Sequence, residues 1–584
     1  MRIHHKVGAV LTGVALLMSA ACSQDLNVTN PNQPDKARVL ATPADVQTLA
    51  ISTIHSWYMG ASHVDPWVML NVTGDLMTMN YGNFGARFNN LEPRIPYNNN
   101  AASGDAEVAQ DPWNMQYSTI GSADDALNAI AGGMVLPGGT DKYKALALFS
   151  QAGALLELSL VYNQAFPVDE TVSPANPPTM VSYTDMEAFT KTKIDALIAF
   201  VQNQNYTYDQ KTEFPASVQP EGNDYSINAT GTGATSNLLY RVANTWGAQL
   251  IAFSPRTAAE ASSANWAQVL AYAQKGLGHD GGAPIDFSVV GDYNNWWSDL
   301  VSYMDFPSWM MIDLHLIHQM APNVPADYTG LPASPASAYD AVWAPDTTSA
   351  LTDKRLGIDT TDVNSYVAGT DDKTDFVYAR QVQGPAARGI YMQSPYYHVR
   401  YIAYSYQSNS PQIGPAPFNM AAETDLLEAE ALVRTGGDLA KAATLVNYTR
   451  VGRGGLAPLT ATSSTATFLQ AITYELEVEC NATDGYGFFA LRGMDQLQAG
   501  TLRHLPVPAS ELQTDGLPVY TFGGVGLPDM SRISAGTGTA TPVFNIQNYQ
   551  NGPWRALSLP NGKTMELPSF KLPPHRTPFG GARF

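Results

Sequence analysis

Apolar residues recur at helical spacing over most of this 584-residue chain, and a long middle stretch breaks the pattern. The clearest helical stripe runs from Leu239 to Phe253 and stops before Pro255, which cannot continue a helix. Between about residues 278 and 420 the periodicity is weak, with one helix expected at about 308–319. The pattern predicts a mainly α fold in which a large loop-rich insert with short strands interrupts a helical scaffold.

Several helix starts are expected from capping chemistry. Thr42 suits an N-cap position and Pro43 the first helical turn, so a helix is predicted to begin there. The dipeptide Asp111-Pro112 predicts a second start, and the segment Thr184–Glu187 reads as a capping box for another helix. A further helix, at Trp266, is expected to extend to about residue 277. A helix from Ala421 is expected to stop at Gly436-Gly437, and Asp438 is expected to cap the helix that follows.

Helix pairs joined by tight glycine turns resemble tetratricopeptide-type units, although no regular repeat period is visible. This favours one domain over residues 41–584 rather than several. The helical scaffold is expected at about 41–277 and 421–500, and the insert at about 278–420. The remaining segment, about 501–584, is rich in Pro and is expected to be irregular.

The N-terminus carries a targeting signal. A basic start is followed by an apolar run from Val7 to Met18, and small residues lead from this run to Cys22. The run is too short to span a bilayer, which takes about 20 apolar residues. The sequence therefore predicts a signal peptide over 1–21, lipidation of Cys22 and a lipid-anchored flexible tether over 22–40. No later segment is expected to cross a membrane.

The chain has two cysteines, Cys22 and Cys480. One alternative is a disulfide between them, although a frayed N-terminus anchors a disulfide poorly. If Cys22 carries lipid, Cys480 is expected to be a buried, small apolar residue.

The formal net charge is −20. Nucleic acid is excluded as a partner, because binding to phosphates requires a basic surface. An anionic membrane surface is disfavoured for the same reason.

Motifs for catalysis are absent: the chain contains no Gly-x-Ser-x-Gly elbow, no Walker loop and no His-Glu-x-x-His. Glu475, Glu477 and Glu479 could suggest paired carboxylates for glycoside hydrolysis. The alternative is a structural role in which Glu475 and Glu479, one helical turn apart, pair with arginines such as Arg450 or Arg492. The structural role is favoured, so neither catalytic residues nor cofactors are expected.

Two groups of residues invite a metal interpretation. His315 and His318 stand three apart with Asp313 nearby, but no further ligand set is evident. Asp371-Asp372 and Asp375 could chelate calcium, although a solvated acidic loop is the favoured interpretation. No metal site is expected.

Six segments, in this order, resemble signatures of one family, the SusD/RagB outer-membrane nutrient-uptake lipoproteins. They are Leu26–Asp35, Ala41–Val46, Trp113–Leu127, Glu428–Leu459, Ile472–Arg492 and Leu505–Leu512. The segment Ile472–Arg492 carries Glu-x-x-x-Glu followed by an aromatic residue and Leu-Arg. Ala490 stands where the family has Asp before Leu-Arg, and the segment from Gly536 onwards resembles nothing in the family.

The resemblance implies a SusD-like fold with a tetratricopeptide-like scaffold and a loop-rich face. It implies a lipid-anchored protein of the outer membrane that is exposed at the cell surface. It also implies a partner, a SusC-like TonB-dependent β-barrel transporter, and a ligand that is an oligosaccharide or, in some lineages, a peptide. Family members have no catalytic activity.

Aromatic residues are the leading candidates for ligand contact, because sugars stack on rings and bond to neighbouring amides. The chain has 10 Trp and 29 Tyr, of which Trp246 and Trp266 lie on helical stripes and are expected in the core. The candidate ligand-binding residues come from two predicted loops: Trp67, Asn71, Tyr81, Asn294, Trp296 and Trp297. Packing beneath the loops is the alternative role for each.

The favoured function is therefore capture of a nutrient, with an oligosaccharide as the expected ligand, for a transporter. A tetratricopeptide-like scaffold that binds only protein is one alternative. A surface glycoside hydrolase is the other.

Overall fold

The computed structural model describes most of the chain from residue 40 to residue 526. The described ranges are 40–62, 66–79, 89–92, 94–173, 175–220, 233–292, 295–296, 298–304, 309–326, 336–358, 374–380, 393–402 and 413–526, together with 557–558 and 564–565. The predicted signal peptide and Cys22 lie outside these ranges.

The described helices number sixteen. They are α1 (Pro43–Ser62), α2 (Trp67–Thr73), α3 (Glu107–Ala131), α4 (Thr140–Val161), α5 (Tyr183–Val201), α6 (Ser236–Phe253), α7 (Ala258–Ser263), α8 (Trp266–Ala273), α9 (Asp299–Met304), α10 (Leu314–Met320), α11 (Ala336–Trp343), α12 (Ala421–Thr435), α13 (Leu439–Arg450), α14 (Thr465–Val478), α15 (Tyr486–Gly493) and α16 (Ala509–Thr514).

The strands in the described residues are short. They are β1 (Met77–Met79), β2 (Gln164–Ala165), β3 (Val181–Ser182), β4 (Ala216–Pro220), β5 (Ile285–Asp292), β6 (Met310–Ile312), β7 (Leu356–Ile358), β8 (Phe376–Tyr378), β9 (Tyr396–His398), β10 (Ile413–Asn419), β11 (Leu557–Ser558) and β12 (Thr564–Met565).

The helices form a continuous scaffold in which each long helix packs against its neighbours. Helix α1 packs on α3 and α4, α4 packs on α5, and α5 on α6. Helix α6 then packs on α8, α8 on α12, and α12 on α13 and α14. The scaffold therefore spans both predicted helical segments, and the prediction of a mainly α fold with a strand-containing insert is confirmed.

The centre of the core is aromatic and joins α1, α4, α6 and β10. The ring of Trp57 lies 5.2 Å from Phe149, 5.4 Å from Trp246 and 4.8 Å from Phe418. Trp57 can approach α4 because Gly153 has no side chain: a Cβ there would lie 2.4 Å from the indole nitrogen. The predicted core positions of Trp246 and Trp266 are confirmed, as is that of Cys480.

Helix α4 is the one described helix that is long and apolar enough to cross a membrane. Of its apolar stretch, 94% is buried inside the fold. It is the central helix of the core, enclosed by α1, α3 and α5.

Several predicted boundaries are confirmed by their hydrogen bonds. The Thr42 hydroxyl accepts from the Asp45 amide at the start of α1 (3.2 Å). Gly436 ends α12 in a left-handed conformation, with φ +68°. Asp438 then accepts from the amides of Ala440 and Lys441 and caps α13.

Three predicted boundaries are wrong. Helix α3 begins at Glu107, so Pro112 lies inside it and not at its start. Proline lacks the amide hydrogen that would bond to the carbonyl of Val108, but burial of Val108 favours the helical turn despite this loss. Ser182, not Thr184, caps α5 by accepting from the Asp185 amide (3.2 Å). Helix α8 ends at Ala273 rather than near residue 277.

The insert is attached to the scaffold by a three-stranded antiparallel sheet in the order β10-β5-β4. Strand β5 opens the insert and β10 closes it, and Val289 of β5 pairs with both Ala416 and Ala216. The chain therefore enters and leaves the insert on adjacent strands.

Within the insert, the described residues form three helices, α9 to α11, rather than the single predicted helix. That helix was expected over 308–319, but residues 310–312 form β6, which pairs with β1, and α10 begins only at Leu314. All of β6 is buried, and pairing with β1 satisfies its backbone. Strands β7, β8 and β9 form a second small sheet.

Candidate functional site

A half-buried tryptophan stands at the end of β5, on the loop where ligand contact was predicted. The Asp292 carboxylate accepts from the amides of Asn295 (2.7 Å) and Trp296 (2.8 Å), which holds these two residues close to the end of β5. His55 of α1 donates from Nε2 to the carbonyl oxygen of Asn295 (2.6 Å). The loop is therefore held in place by its own acidic residue and by the scaffold.

The ring of Trp296 rests on two rings of α1. It lies 4.8 Å from His55 in an edge-on arrangement and 5.7 Å from Tyr58. Tyr58 is buried, and burial raises the pKa of its phenol. Trp296 is thus oriented from below while part of its surface faces solvent, which is the arrangement that a stacking platform requires.

A second aromatic pair follows along the insert. Tyr303 and Trp309 are both half-buried, and their rings stack 4.6 Å apart at an interplanar angle of 18°. The sequence analysis missed this pair and also missed His55 and Tyr58. The two insert residues follow Trp296 closely, whereas the α1 residues are about 240 positions away and could be found only in three dimensions.

Trp67 and Asn71 lie in a helix, α2, and not in the predicted loop. Every residue of α2 is buried because its apolar side chains pack against α15. The Trp67 ring is 4% exposed and contacts Phe489 at 6.1 Å. Asn71 is equally enclosed and donates to the carbonyl oxygens of Trp67 (2.8 Å) and Asp484 (2.9 Å). Both contacts are structural, and a role in ligand binding stays an untested prediction.

The structure brings together only part of the predicted site. Trp296 lies at the surface of the insert, and Trp67 and Asn71 lie in the core. Tyr81, Asn294 and Trp297 lie outside the described residues, so their predicted roles stay predictions.

The glutamates of α14 are structural. Arg355 donates to Glu475 (2.8 Å) and to Glu479 (2.9 Å), and all three side chains are buried. Arg400 and Arg453 also bond to Glu479, at 3.1 Å and 2.9 Å. The expected pairing of Glu475 and Glu479 with arginines is confirmed, but the predicted partners Arg450 and Arg492 are wrong.

Arg450 and Arg492 bond to main-chain carbonyls instead. Arg450 donates to the carbonyl of Ala457 (2.8 Å). Arg492 donates to the carbonyls of Arg503 (2.7 Å) and Phe253 (2.5 Å), the latter being the last residue of α6. A guanidinium is favourable at a helix C-terminus, so Arg492 serves there as a cap.

The environments of these glutamates separate their pKa values. Burial would raise the pKa of Glu479, but the guanidinium groups of Arg453, Arg400 and Arg355 outweigh burial and lower it to about 2. Burial raises the pKa of Glu477 to about 8, opposed only by its bond with Gln319. A split of this kind is familiar in acid–base catalysis, yet all three carboxylates are at most 2% exposed.

Asp375 belongs to the same network and was wrongly expected in a solvated acidic loop. It is 3% exposed and forms an ion pair with Arg453. Asp371-Asp372 lies outside the described residues.

A separate polar cluster surrounds His315 at the start of α10. His315 contacts Asp313 through Nδ1 (2.7 Å) and Glu92 through Nε2 (3.3 Å). Burial lowers the pKa of His315, but its hydrogen bond with Asp313 and the nearby carboxylates raise it to about 9. Burial also raises the pKa of Asp75 to about 7, opposed by its ion pair with Arg94.

His318 takes no part in this cluster. Its Nδ1 donates to the carbonyl oxygen of Val324 (2.6 Å). The two histidines of α10 therefore do not form the pair that their spacing suggested.

No protein-family model matches the chain, and no curated protein sequence matches it. Solved structures do match. A SusD superfamily protein from Parabacteroides distasonis ATCC 8503 superposes with a TM-score of 0.50 at 12% identity, over 83% of this chain and 98% of that protein. A SusD superfamily protein from Bacteroides thetaiotaomicron VPI-5482 matches with a TM-score of 0.49 at 14% identity, over 81% and 98% of the two chains.

A surface glycan-binding protein A from Bacteroides uniformis matches with a TM-score of 0.47 at 15% identity, over 82% of this chain and 98% of that protein. At such identities a likeness shows the fold alone, and the superposition with a TM-score of 0.50 is the one that supports it. The resemblance seen in the sequence is thus confirmed at the level of the fold.

Proposed function

We propose that this chain, which has the SusD-like fold, is a cell-surface lipoprotein that binds an oligosaccharide and delivers it to a TonB-dependent outer-membrane transporter. The fold supports the general role, because the sequence signatures and the structure lead to the same architecture. The ligand class is argued from the loop-rich face of the molecule.

The observation that carries the proposal is the half-buried Trp296, whose neighbour Asn295 is hydrogen-bonded to both Asp292 and His55. A ring that is already oriented loses little conformational freedom when a sugar stacks on it. Polar groups of Asp292 and Asn295 lie beside it, where hydroxyl groups of a sugar would need partners.

Anchoring and delivery form the second part of the proposal. The apolar run that ends in small residues before Cys22 supports lipidation at that cysteine, and the segment after it supports a tether. Labelled palmitate incorporated by the chain and lost in Cys22→Ser would support the anchor. Co-purification of a TonB-dependent transporter from the native membrane would support delivery.

Glycan binding is tested with the Trp296→Ala variant. A glycan array identifies a ligand, and calorimetry then compares the variant with the unmodified chain. We expect affinity to fall by about tenfold, since aromatic contacts contribute about 0.5–1.5 kcal/mol beyond the area that they bury.

Tyr448→Ala is the matched control. Tyr448 is 45% exposed on scaffold helix α13, where it stacks on His279, so its removal should leave glycan affinity unchanged. Equal losses in both variants, or none in Trp296→Ala, would remove Trp296 from the site.

The alternatives give different results in the same assays. A scaffold that binds only protein would retain the transporter and show no glycan affinity. A hydrolase would release product from a polysaccharide, but the buried, arginine-paired glutamates of α14 offer no support for one.

A further inference from the structure

Two parts of the chain, around residues 75–92 and at residue 315, bring potential metal ligands together. Asp75 follows α2, Glu92 precedes α3, and His315 lies in the first turn of α10 in the insert. One ligand atom from each of these side chains lies within 4.8 Å of the other two. The mixed set of one imidazole and two carboxylates differs from a simple acidic patch.

The spacing of these atoms suits a small tetrahedral ion. His315 Nε2 and Glu92 Oε1 lie 3.3 Å apart. Two ligand atoms at about 2.0–2.1 Å from a tetrahedral zinc ion are about 3.3–3.4 Å apart. The two atoms therefore have the spacing of neighbouring ligands of one zinc ion.

Asp313 orients the imidazole for such a role. Its carboxylate contacts Nδ1 of His315 at 2.7 Å, which holds a proton on Nδ1 and turns Nε2 towards Glu92, where a metal ion would take the place of the Nε2 proton. A carboxylate behind a histidine is the usual second partner in zinc sites. The Gln498 amide nitrogen lies 2.9 Å from Nε2 and 3.4 Å from Oε1 of Glu92, so this amide must turn away when an ion binds between the two atoms.

The charges leave room for a divalent cation. Asp75, Glu92 and Asp313 supply three negative charges, and Arg94 compensates one of them through its ion pair with Asp75. Binding of a metal ion at Nε2 would displace a proton from His315, and the neutral imidazole then leaves two negative charges, which a divalent ion balances. Side-chain exposure of 25% for Glu92 and 24% for His315 gives the ion a route from solvent.

We propose that Asp75, Glu92 and His315 bind a divalent transition-metal ion, with zinc preferred and a fourth position left for water. The imidazole ligand favours zinc over calcium and magnesium, which select oxygen ligands. The ion would join α10 of the insert to the chain around α2 and α3. This inference departs from the sequence-based expectation that the chain has no metal site.

The test is zinc titration of the full-length chain after treatment with a chelator, followed by calorimetry. We expect saturable binding of one zinc ion, and at least a tenfold loss of affinity in Glu92→Gln. Glu92 is partly exposed, so this variant should keep its fold, and an unchanged melting temperature in chelator would verify that. Cobalt bound at the site should show the visible spectrum of tetrahedral coordination.

His318→Gln is the matched control, because His318 lies on the same helix with its ring turned to Val324. Its zinc affinity should equal that of the unmodified chain. The proposal is overturned if zinc does not saturate a site, if Glu92→Gln binds as tightly as the unmodified chain, or if calcium competes equally with zinc.

Discussion

Single residues set how closely the scaffold helices approach one another. Gly153 on α4 lies directly against the indole of Trp57, whose ring connects α1, α4, α6 and β10. Gly121 on α3 is also helical, but a Cβ there would meet nothing within 4 Å. The two glycines share a local conformation and differ only in their surroundings.

Replacing each glycine by alanine separates packing from helix propensity. Gly153→Ala should lower the free energy of unfolding by about 1–3 kcal/mol, because the new methyl displaces Trp57 in a close-packed core. Gly121→Ala should raise it by up to about 1 kcal/mol, because alanine favours helix. Urea unfolding followed by Trp fluorescence measures both, and equal effects would contradict the packing argument.

Of the candidate ligand-binding residues, the sequence analysis placed one tryptophan in the correct kind of element and another in the wrong one. Trp296 was placed correctly in a loop because turn residues surround it. Trp67 was misassigned because the apolar run of α2 is short, and its contact with Phe489 joins residues more than 400 positions apart. Local composition carries no information about such a contact.

Among the elements, the insert is fastened to the scaffold by charge as well as by strand pairing. Arg355 lies just before β7 and bonds to Asp353, Glu475 and Glu479, all of them buried. Glu475 and Glu479 belong to scaffold helix α14 and its end. One guanidinium therefore connects the insert to α14.

Removing this guanidinium leaves three carboxylates buried without it. Arg355→Met should lower the free energy of unfolding by about 3–5 kcal/mol. Lys191→Met provides the comparison, since Lys191 pairs with Asp195 at the surface, and it should cost less than about 1 kcal/mol. Chemical denaturation of both variants measures the difference, and a small effect for Arg355→Met would show that the ion network contributes little.

Elements whose ends are set by neighbouring residues were the ones that sequence analysis predicted well. Asp438 caps α13 and Gly436 ends α12, because both devices act within one turn. Residues 310–312 were predicted helical but form β6, since their pairing with β1 depends on a strand more than 200 positions earlier. Tertiary pairing overrides local propensity in such segments.

Across the whole molecule, several carboxyl groups lie in the core in a state that favours their protonated form. Burial raises the pKa of both Glu423 and Glu477 to about 8. Burial also raises the pKa values of Glu157 and Asp484 well above their usual range. The formal charge of −20 therefore overstates the ionisation of the folded chain near neutral pH.

These groups make stability depend on pH in a defined direction. The pKa of Glu423 is about 8 in the folded chain and about 4.3 in the unfolded chain. Its contribution to the free energy of unfolding is therefore fully present below about pH 4.3 and is lost as the pH rises to about 8. The side chain at this position in the Glu423→Gln variant stays neutral at every pH. Between pH 5 and 8.5 the free energy of unfolding of this variant should therefore fall by about 1–3 kcal/mol less than that of the unmodified chain. Urea unfolding at both pH values measures this, and parallel curves would contradict it.

The pairing of β5 with β10 has a consequence for how this architecture can diversify. Because β5 and β10, which begin and end the insert, pair with each other, the distance between the two ends of the insert is fixed whatever its length. Lengthening such an excursion costs little, since each doubling adds only about 0.6 kcal/mol of closure entropy. The segment between β5 and β10 can therefore vary in length and sequence while the helices beneath keep their arrangement.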